Sequence, residues 1–158
     1  MARPDLFDTE FFPTPAPIIA RMLTTIAHNA THFLEPSAGK GAIAEAIKGR
    51  ERYSRHTVDC LEADPDLAAL LREKGFAVVG ADWLTYSGVS YYDAIVMNPP
   101  FSQGDLHLLK AWDFLHAGEI ICLLNEETLL NPYTASRQRL ASVIADHGEA
   151  ESLGACFS

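Results

Sequence analysis

The sequence has few basic residues, few cysteines and no long apolar run, and each shortage excludes a class of protein. Twelve lysines and arginines stand against 21 aspartates and glutamates, which gives a net charge of −9 over 158 residues. That sign is unfavourable for a protein that holds a polyanion mainly by neutralising its phosphates. No stretch approaches the roughly 18 consecutive apolar residues of a membrane span, and the polar N-terminus does not resemble a signal peptide. We therefore expect a cytoplasmic protein that does not enter a membrane.

The three cysteines predict neither a disulfide framework nor a metal site. Cys60, Cys122 and Cys156 each lie in an apolar run, where a free cysteine behaves as a small buried hydrophobe. No pair has Cys-x-x-Cys spacing, and the six histidines are scattered singly along the chain. Because a zinc site needs clustered ligands, we expect no bound metal.

Short apolar runs alternate with helical patterns along the whole chain, which indicates a single domain over residues 1–158. A helix is predicted from Pro15 to Ala27, where apolar residues recur at helical spacing. The runs predicted as strands are HFLE, TVDCLEA, FAVVG, YDAIVM, EIICLL and ESLGACF. Strands that alternate with helices require a parallel sheet with helices on both faces. The expected fold is α/β, a three-layer αβα, Rossmann-like, doubly wound sheet that is mostly parallel.

A glycine-rich turn follows the first predicted strand and indicates a nucleotide-type cofactor. Gly39 and Gly41 let the backbone bend sharply and approach a ligand. The spacing fits a nicotinamide dinucleotide as well as S-adenosylmethionine. The charge of the neighbouring residues must therefore distinguish between these two cofactors. Glu35 would repel a pyrophosphate, whereas it would attract the ammonium and sulfonium groups of S-adenosylmethionine. The candidate cofactor-binding turn is Glu35, Pro36, Ser37, Ala38, Gly39 and Gly41.

Acidic residues follow the second and third predicted strands, at the edge of the sheet where ligands bind in such folds. Glu62, about 20 residues beyond the glycines, is placed to accept ribose hydroxyls, with Ala63 beside it. Asp64 precedes a proline and is predicted to cap a helix instead. Asp82 can accept from an adenine amino group, and Trp83 is predicted to stack on or pack beside the adenine ring.

The fourth predicted strand ends in Asn98-Pro99-Pro100-Phe101, a tetrapeptide with a chemical rationale. An exocyclic amine on an aromatic ring is a poor nucleophile because its lone pair is delocalised. Two acceptors, the Asn98 side-chain oxygen and the Pro99 carbonyl, can draw that nitrogen towards tetrahedral geometry. Pro100 stiffens the loop, and Phe101 is placed to stack on the target base. We predict that these four residues are catalytic.

These motifs resemble the amino-methyltransferase branch of the class I S-adenosylmethionine-dependent methyltransferases, and the resemblance covers nearly the whole chain. Phe12-Pro13-Thr14-Pro15 resembles the segment that touches the methionine portion of the cofactor in adenine-N6 enzymes. The resemblance implies S-adenosylmethionine as cofactor, with Asn98 also beside it. It also implies N6 of adenine in DNA as the methyl acceptor. Such enzymes complete their sheet with an antiparallel hairpin, which is incomplete here.

Several alternatives remain open at this point. The acidic charge favours a protein glutamine-N5 methyltransferase, because binding of a protein substrate does not require basic residues that contact phosphates. An RNA amino-methyltransferase is another alternative. The chain resembles a domain without its own target-recognition region, so a partner subunit or a non-catalytic cofactor-binding role is a further reading. Only Lys110, Arg137 and Arg139 are nominated as basic contacts to a nucleic acid.

Overall fold

The computed structural model describes residues 13–50 and 55–154. Its helices are α1 (Ala16–Leu23), α2 (Ala42–Lys48), α3 (Pro65–Glu73), α4 (Gly104–Phe114), α5 (Glu127–Leu130) and α6 (Ala135–His147). Its strands are β1 (His32–Glu35), β2 (Thr57–Leu61), β3 (Ala77–Gly80), β4 (Ala94–Met97) and β5 (Glu119–Cys122). Short 3-10 turns cover Trp83–Thr85 and Phe101–Gln103. Within these ranges, no helix is long and apolar enough to cross a membrane.

The five strands form one parallel sheet in the order β3-β2-β1-β4-β5. The predicted α/β class, with a parallel sheet between helices, is confirmed. The strand order reverses between β1 and β4, because the chain builds outward from β1 in one direction and then returns to its other side. In sheets of this kind the reversal opens a crevice at the carboxyl ends of the strands. The fold thus directs attention to the residues that follow β1 and β4.

The core has two halves, one on each face of the sheet, because successive strand residues point to opposite faces. Phe33 packs with α1 and α2 on one face, whereas its neighbour Leu34 packs on the other. That second face is closed by Ala111 and Phe114 of α4 and by the buried Trp83. Burial on both faces explains why β4 is apolar throughout.

The first helix is shorter than predicted. It covers Ala16–Leu23, with Pro15 at its N-cap, and does not reach Ala27. The side chain of Thr24 donates to the carbonyl of Arg21 at 2.7 Å. Such local side-chain bonds compete with the helical pattern, and two β-branched threonines in succession end the helix there.

The strand predicted in ESLGACF is not formed in its described part, residues 151–154. Glu151 instead forms an ion pair with Arg21 of α1 at 2.7 Å, and Leu153 packs against the core. Gly154 has a φ of 67°, which is left-handed and not extended. Cys156 lies outside the described residues, whereas Cys60 and Cys122 are free thiols in β2 and β5 as predicted.

Candidate functional site

The glycine turn after β1 requires its two glycines. Gly39 and Gly41 have φ values of 56° and 90°, a region that other residues rarely adopt. A Cβ on Gly41 would lie 2.9 Å from Leu71 Cδ2 of α3. The amide of Ala38 donates to the Leu61 carbonyl at 3.1 Å, which anchors the turn to the end of β2. The turn is therefore a fixed surface between β1, β2 and α3.

Glu62 lies at the centre of this surface. One carboxylate oxygen accepts from the amide of Gly39 at 2.7 Å, and the other accepts from the amide of Asp64 at 2.9 Å. A carboxylate offers about four acceptor positions, so two bonds leave capacity for a diol. Ala63 beside it is exposed. The predicted cap is confirmed, since the Asp64 side chain accepts from the amides of Asp66 and Leu67.

Glu35 is buried beneath the turn, with only 1% of its surface exposed. Its carboxyl accepts a backbone bond from Ala44, and its Oε2 atom has no partner among the described residues. Burial raises the pKa of Glu35 well above its ordinary value, and the nearby charge of Glu62 raises it further. The structure shows that this carboxyl is buried in the fold, and the predicted contact of Glu35 with a cationic cofactor stays a prediction.

The remaining residues of the turn differ in their exposure to solvent. Pro36 and Ala38 are buried, Ser37 is half-buried, and Lys40 points to solvent. Phe12, the last predicted cofactor contact, lies outside the described residues.

The structure brings Asn98 to Thr14, 84 positions earlier in the chain. The Asn98 Nδ2 atom donates to the Thr14 hydroxyl at 2.9 Å. Because the nitrogen end of the amide is engaged, its oxygen is the end turned away from Thr14. Two segments predicted separately as parts of one site therefore meet at the end of β4.

The prolines of the motif give it a fixed path. Pro99 is buried, and Pro100 has an extended backbone with φ −54° and ψ 131°. The chain then turns at once, since the amide of Gln103 donates to the Pro100 carbonyl at 3.0 Å. Phe101 begins this turn and is half-buried, so part of its ring remains accessible.

Asp82 and Trp83 have separate places in the structure. Asp82 is exposed, and its carboxylate accepts from the amide of Leu84 at 3.1 Å. Trp83 is only 1% exposed and donates through Nε1 to the carbonyl of His107 at 3.0 Å. Its ring packs edge-on to Phe114 with centroids 5.2 Å apart. Packing with α4 places the ring in the core, and its predicted position beside an adenine ring stays a prediction.

The structure has two surface grooves, the first of which includes Thr14 in its lining. A groove of about 530 Å³ runs between α1 and α2, and one of about 580 Å³ lies between α4 and α6. Neither is lined by Glu62 or Asn98. In the described ranges, no group of three or more histidine, cysteine or acidic residues is arranged to hold a metal ion. The candidate site therefore rests on the strand ends and their hydrogen bonds.

The three nominated basic residues have other contacts. Arg139 forms an ion pair with Asp113 at 2.7 Å. Lys110 donates to the carbonyl of Tyr86 at 2.6 Å. Arg137 lies over the ring of Tyr133, with its guanidinium carbon 4.8 Å from the ring centroid. Sequence reasoning did not single out Tyr133. The only signal was an Asn-Pro-Tyr-Thr loop after the fifth strand.

The strand order, the glycine turn and the polar strand ends define the α/β Rossmann-like fold that methyltransferases have. No protein-family model matches the sequence, and no curated protein matches it. Solved structures match the fold.

One similar structure is the 23S rRNA methyltransferase ErmE, with a TM-score of 0.58, 23% identity, and coverage of 74% of this chain and 49% of ErmE. Another is the methyltransferase subunit of a type I restriction-modification system from Streptococcus thermophilus, with a TM-score of 0.64, 16% identity and coverage of 85% and 38%. A third is a dimethyladenosine transferase from Plasmodium falciparum, with a TM-score of 0.61, 12% identity and coverage of 85% and 51%. At these identities the similarity concerns the fold, and the chain spans about half or less of each of these proteins.

Proposed function

We propose that this domain is an S-adenosylmethionine-dependent methyltransferase that modifies an exocyclic amino nitrogen. The observation that carries the proposal is the Asn98-Pro99-Pro100-Phe101 segment at the end of β4, with the Asn98 amide oriented by Thr14. The segment lies where the strand order reverses, the position at which such folds bind their ligands.

The residues around the crevice fit this cofactor. Glu62 is held by two backbone amides and retains acceptor capacity for ribose hydroxyls. Asp82 is exposed at the end of β3, where it can accept from an adenine amino group. The positive φ values of Gly39 and Gly41 fix the path of the turn between β1 and α2, which faces the crevice. When bound, the cofactor supplies an electrophilic methyl group on a sulfonium.

The protein's own contribution is to shape and orient the acceptor amine. The Asn98 oxygen and the Pro99 carbonyl accept from its two N–H groups, which localises the nitrogen lone pair. The bound cofactor would supply its methyl group to this nitrogen as the carbon–sulfur bond breaks, and the surplus proton would leave to water. No strongly shifted acid or base is needed, because proximity and in-line orientation supply most of the rate.

For the acceptor we propose N6 of adenine in DNA, with Phe101 stacked on the base. A base in a duplex must be flipped out to reach Asn98. The similar structures include a dimethyladenosine transferase and a restriction-modification methyltransferase, which supports a nucleic acid. Because the chain covers about half of ErmE and 38% of the restriction-modification subunit, we propose that target recognition comes from a further segment or a partner subunit.

One observation favours a second candidate. The net charge of −9 suits a protein acceptor, such as a glutamine amide, better than a polyanion. The amide nitrogen of glutamine is also delocalised, so the same two acceptors on Asn98 and Pro99 would serve it.

The test combines calorimetric titration with transfer of a tritiated methyl group to DNA, RNA and protein pools. We expect the wild-type chain to bind S-adenosylmethionine and not NAD, and to label DNA. Asn98→Ala should lower the rate of methyl transfer by about 100-fold or more. Its dissociation constant for the cofactor should stay within about two-fold of the wild-type value. Asn29→Ala, a change at an exposed turn before β1, is the matched control and should behave as wild type.

The outcomes separate the alternatives. Label in protein would indicate a protein glutamine as the acceptor instead of DNA. Label in RNA would indicate RNA as the acceptor. Binding without transfer would indicate that a recognition segment or partner is required. Absence of cofactor binding, or full activity of Asn98→Ala, would refute the proposed function.

A further inference from the structure

The loop after β5 begins at the same edge of the sheet as the catalytic motif. In the parallel pair of β4 and β5, Met97 lies opposite Cys122. The next residues are therefore Asn98 on one strand and Leu123 on the other. The amide of Leu123 donates to the Met97 carbonyl at 3.0 Å, which ties the start of this loop to the end of β4.

A side-chain bridge fixes the far end of the loop to the helix that follows the catalytic motif. Asp105, in the first turn of α4, is buried and accepts a hydrogen bond from the Ser136 hydroxyl. The Ser136 hydroxyl lies 3.2 Å from that of Thr134, which in turn caps α6 by accepting from the amide of Arg137. Tyr133 is next to Thr134 and therefore lies on a segment that side-chain hydrogen bonds link to α4.

The ring of Tyr133 is exposed to solvent on this segment. It is 70% exposed, and the Arg137 guanidinium lies over the ring at 4.8 Å and donates to the Asn131 carbonyl at 3.2 Å. Leu130, one turn earlier, is 69% exposed. By contrast, Trp83 is buried and packs against other rings. An exposed aromatic ring that is held in place by a cation has no role in the core of the domain.

We propose that Tyr133, supported by Arg137, is a stacking platform for a nucleotide that flanks the methylated base. The inference rests on the proposed function and assigns its substrate to a single-stranded or locally opened nucleic acid. A planar base matches the open area of a rigid ring, and such stacking tolerates any base because every base has a π-face. The Arg137 charge is complementary to the adjacent phosphate, which matters in a chain of net charge −9. A protein acceptor offers neither a base nor a phosphate.

The experiment uses the full chain and a single-stranded oligonucleotide that carries 2-aminopurine next to the target adenine. Stacking on Tyr133 should quench the fluorescence of this base analogue. Tyr133→Ala should raise the dissociation constant for the oligonucleotide about ten-fold and abolish the quench, while cofactor binding stays within about two-fold. Tyr133→Phe should retain both the affinity and the quench. Tyr91→Ala is the matched control, since Tyr91 is 56% exposed and precedes β4 at the opposite edge.

The results distinguish failure of this inference from failure of the proposed function. If the wild-type chain methylates the oligonucleotide and Tyr133→Ala binds and quenches equally well, the stacking role is refuted and the methyltransferase proposal stands. If label goes only to protein and the oligonucleotide does not bind, the assigned substrate is refuted as well. If the wild-type chain does not bind S-adenosylmethionine, the proposed function itself fails.

Discussion

Asn98 is held by a hydroxyl from near the N-terminal end of the described chain. An unrestrained amide can present either its nitrogen or its oxygen to a ligand, and only the oxygen accepts a hydrogen bond from an amine. In the structure Asn98 Nδ2 donates to Thr14 at 2.9 Å, which leaves the amide oxygen turned away from Thr14. We therefore expect Thr14 to act as a positioning residue for the proposed reaction.

Removal of the Thr14 hydroxyl should slow transfer more than it weakens cofactor binding. The net worth of one such hydrogen bond is about 0.5–1.5 kcal/mol, so we expect Thr14→Val to lower kcat by about 2–10-fold. Thr14→Ser keeps the acceptor and should retain most of the wild-type kcat. Single-turnover kinetics at saturating cofactor measures the effect. If Thr14→Val matched wild type in kcat, the positioning role would be rejected.

Residues whose roles depend on the chain beside them were predictable, and those that depend on distant packing were not. Asp64 precedes a proline at the start of α3, so its capping role followed from local sequence. For Trp83 a contact with a ligand was predicted, and nothing near it in sequence reveals that Phe114 and the His107 carbonyl enclose its ring. The bond between Thr14 and Asn98 likewise spans 84 positions, and only the fold brings these two side chains together.

At the scale of elements, the turn between β1 and α2 shows how tightly a strand end is built. Gly41 joins a left-handed backbone to a close approach by Leu71 of α3. Gly75, at the end of α3, has nearly the same φ of 91°, but a Cβ added there would meet no atom within 4 Å. A comparison of substitutions at these two glycines therefore distinguishes the cost of backbone strain from the cost of side-chain crowding.

Gly41→Ala should destabilise the domain more than Gly75→Ala does. Left-handed backbone costs an alanine about 1–2 kcal/mol, and forced overpacking adds about 1–3 kcal/mol. We expect Gly41→Ala to lower the free energy of unfolding by about 2–5 kcal/mol, and Gly75→Ala by about 1–2 kcal/mol. Urea denaturation of both variants measures the difference. Equal losses would show that Leu71 moves aside at no cost.

The order of strands and helices was predictable because each carries its own pattern. The uniformly apolar β4 indicated burial on both faces, and the structure places it between β1 and β5. Element ends were less certain, as α1 shows, because two threonines ended the helix by bonding its carbonyls. The strand expected in ESLGACF is not formed over residues 151–154. Glu151 forms an ion pair with Arg21 of α1 there, and no apolar pattern records that ion pair.

At the scale of the whole molecule, two carboxyls give the stability opposite responses to pH. Asp93 accepts from the amides of Thr31 and His32, which lowers its pKa. Its contribution is present above its ordinary pKa and is lost as pH falls through the lowered value. Burial raises the pKa of Glu35 instead. The folded state then holds a proton that the unfolded state releases, so stability falls as pH rises from the ordinary value towards the raised one.

We therefore expect Glu35→Gln to flatten the decline in the free energy of unfolding above pH 4.5, the ordinary pKa of the side chain. The difference in slope between wild type and variant should approach about 1.4 kcal/mol per pH unit within the window between the two pKa values. Urea denaturation at a series of pH values measures it. Glu73→Gln removes an exposed carboxylate of α3 and serves as the control. Parallel curves for wild type and Glu35→Gln would contradict the raised pKa.

The strand order has a consequence for synthesis on the ribosome. β1 lies at the centre of the finished sheet, yet one of its two neighbours, β4, is made only after β2 and β3. Once Gly80 has emerged from the ribosome, the chain can assemble three strands with one side of β1 still unpaired. At roughly 5–20 residues per second, Met97 emerges about one to three seconds later. During that interval β1 is an open edge available to other chains, so slow translation during it should lower the yield of soluble protein.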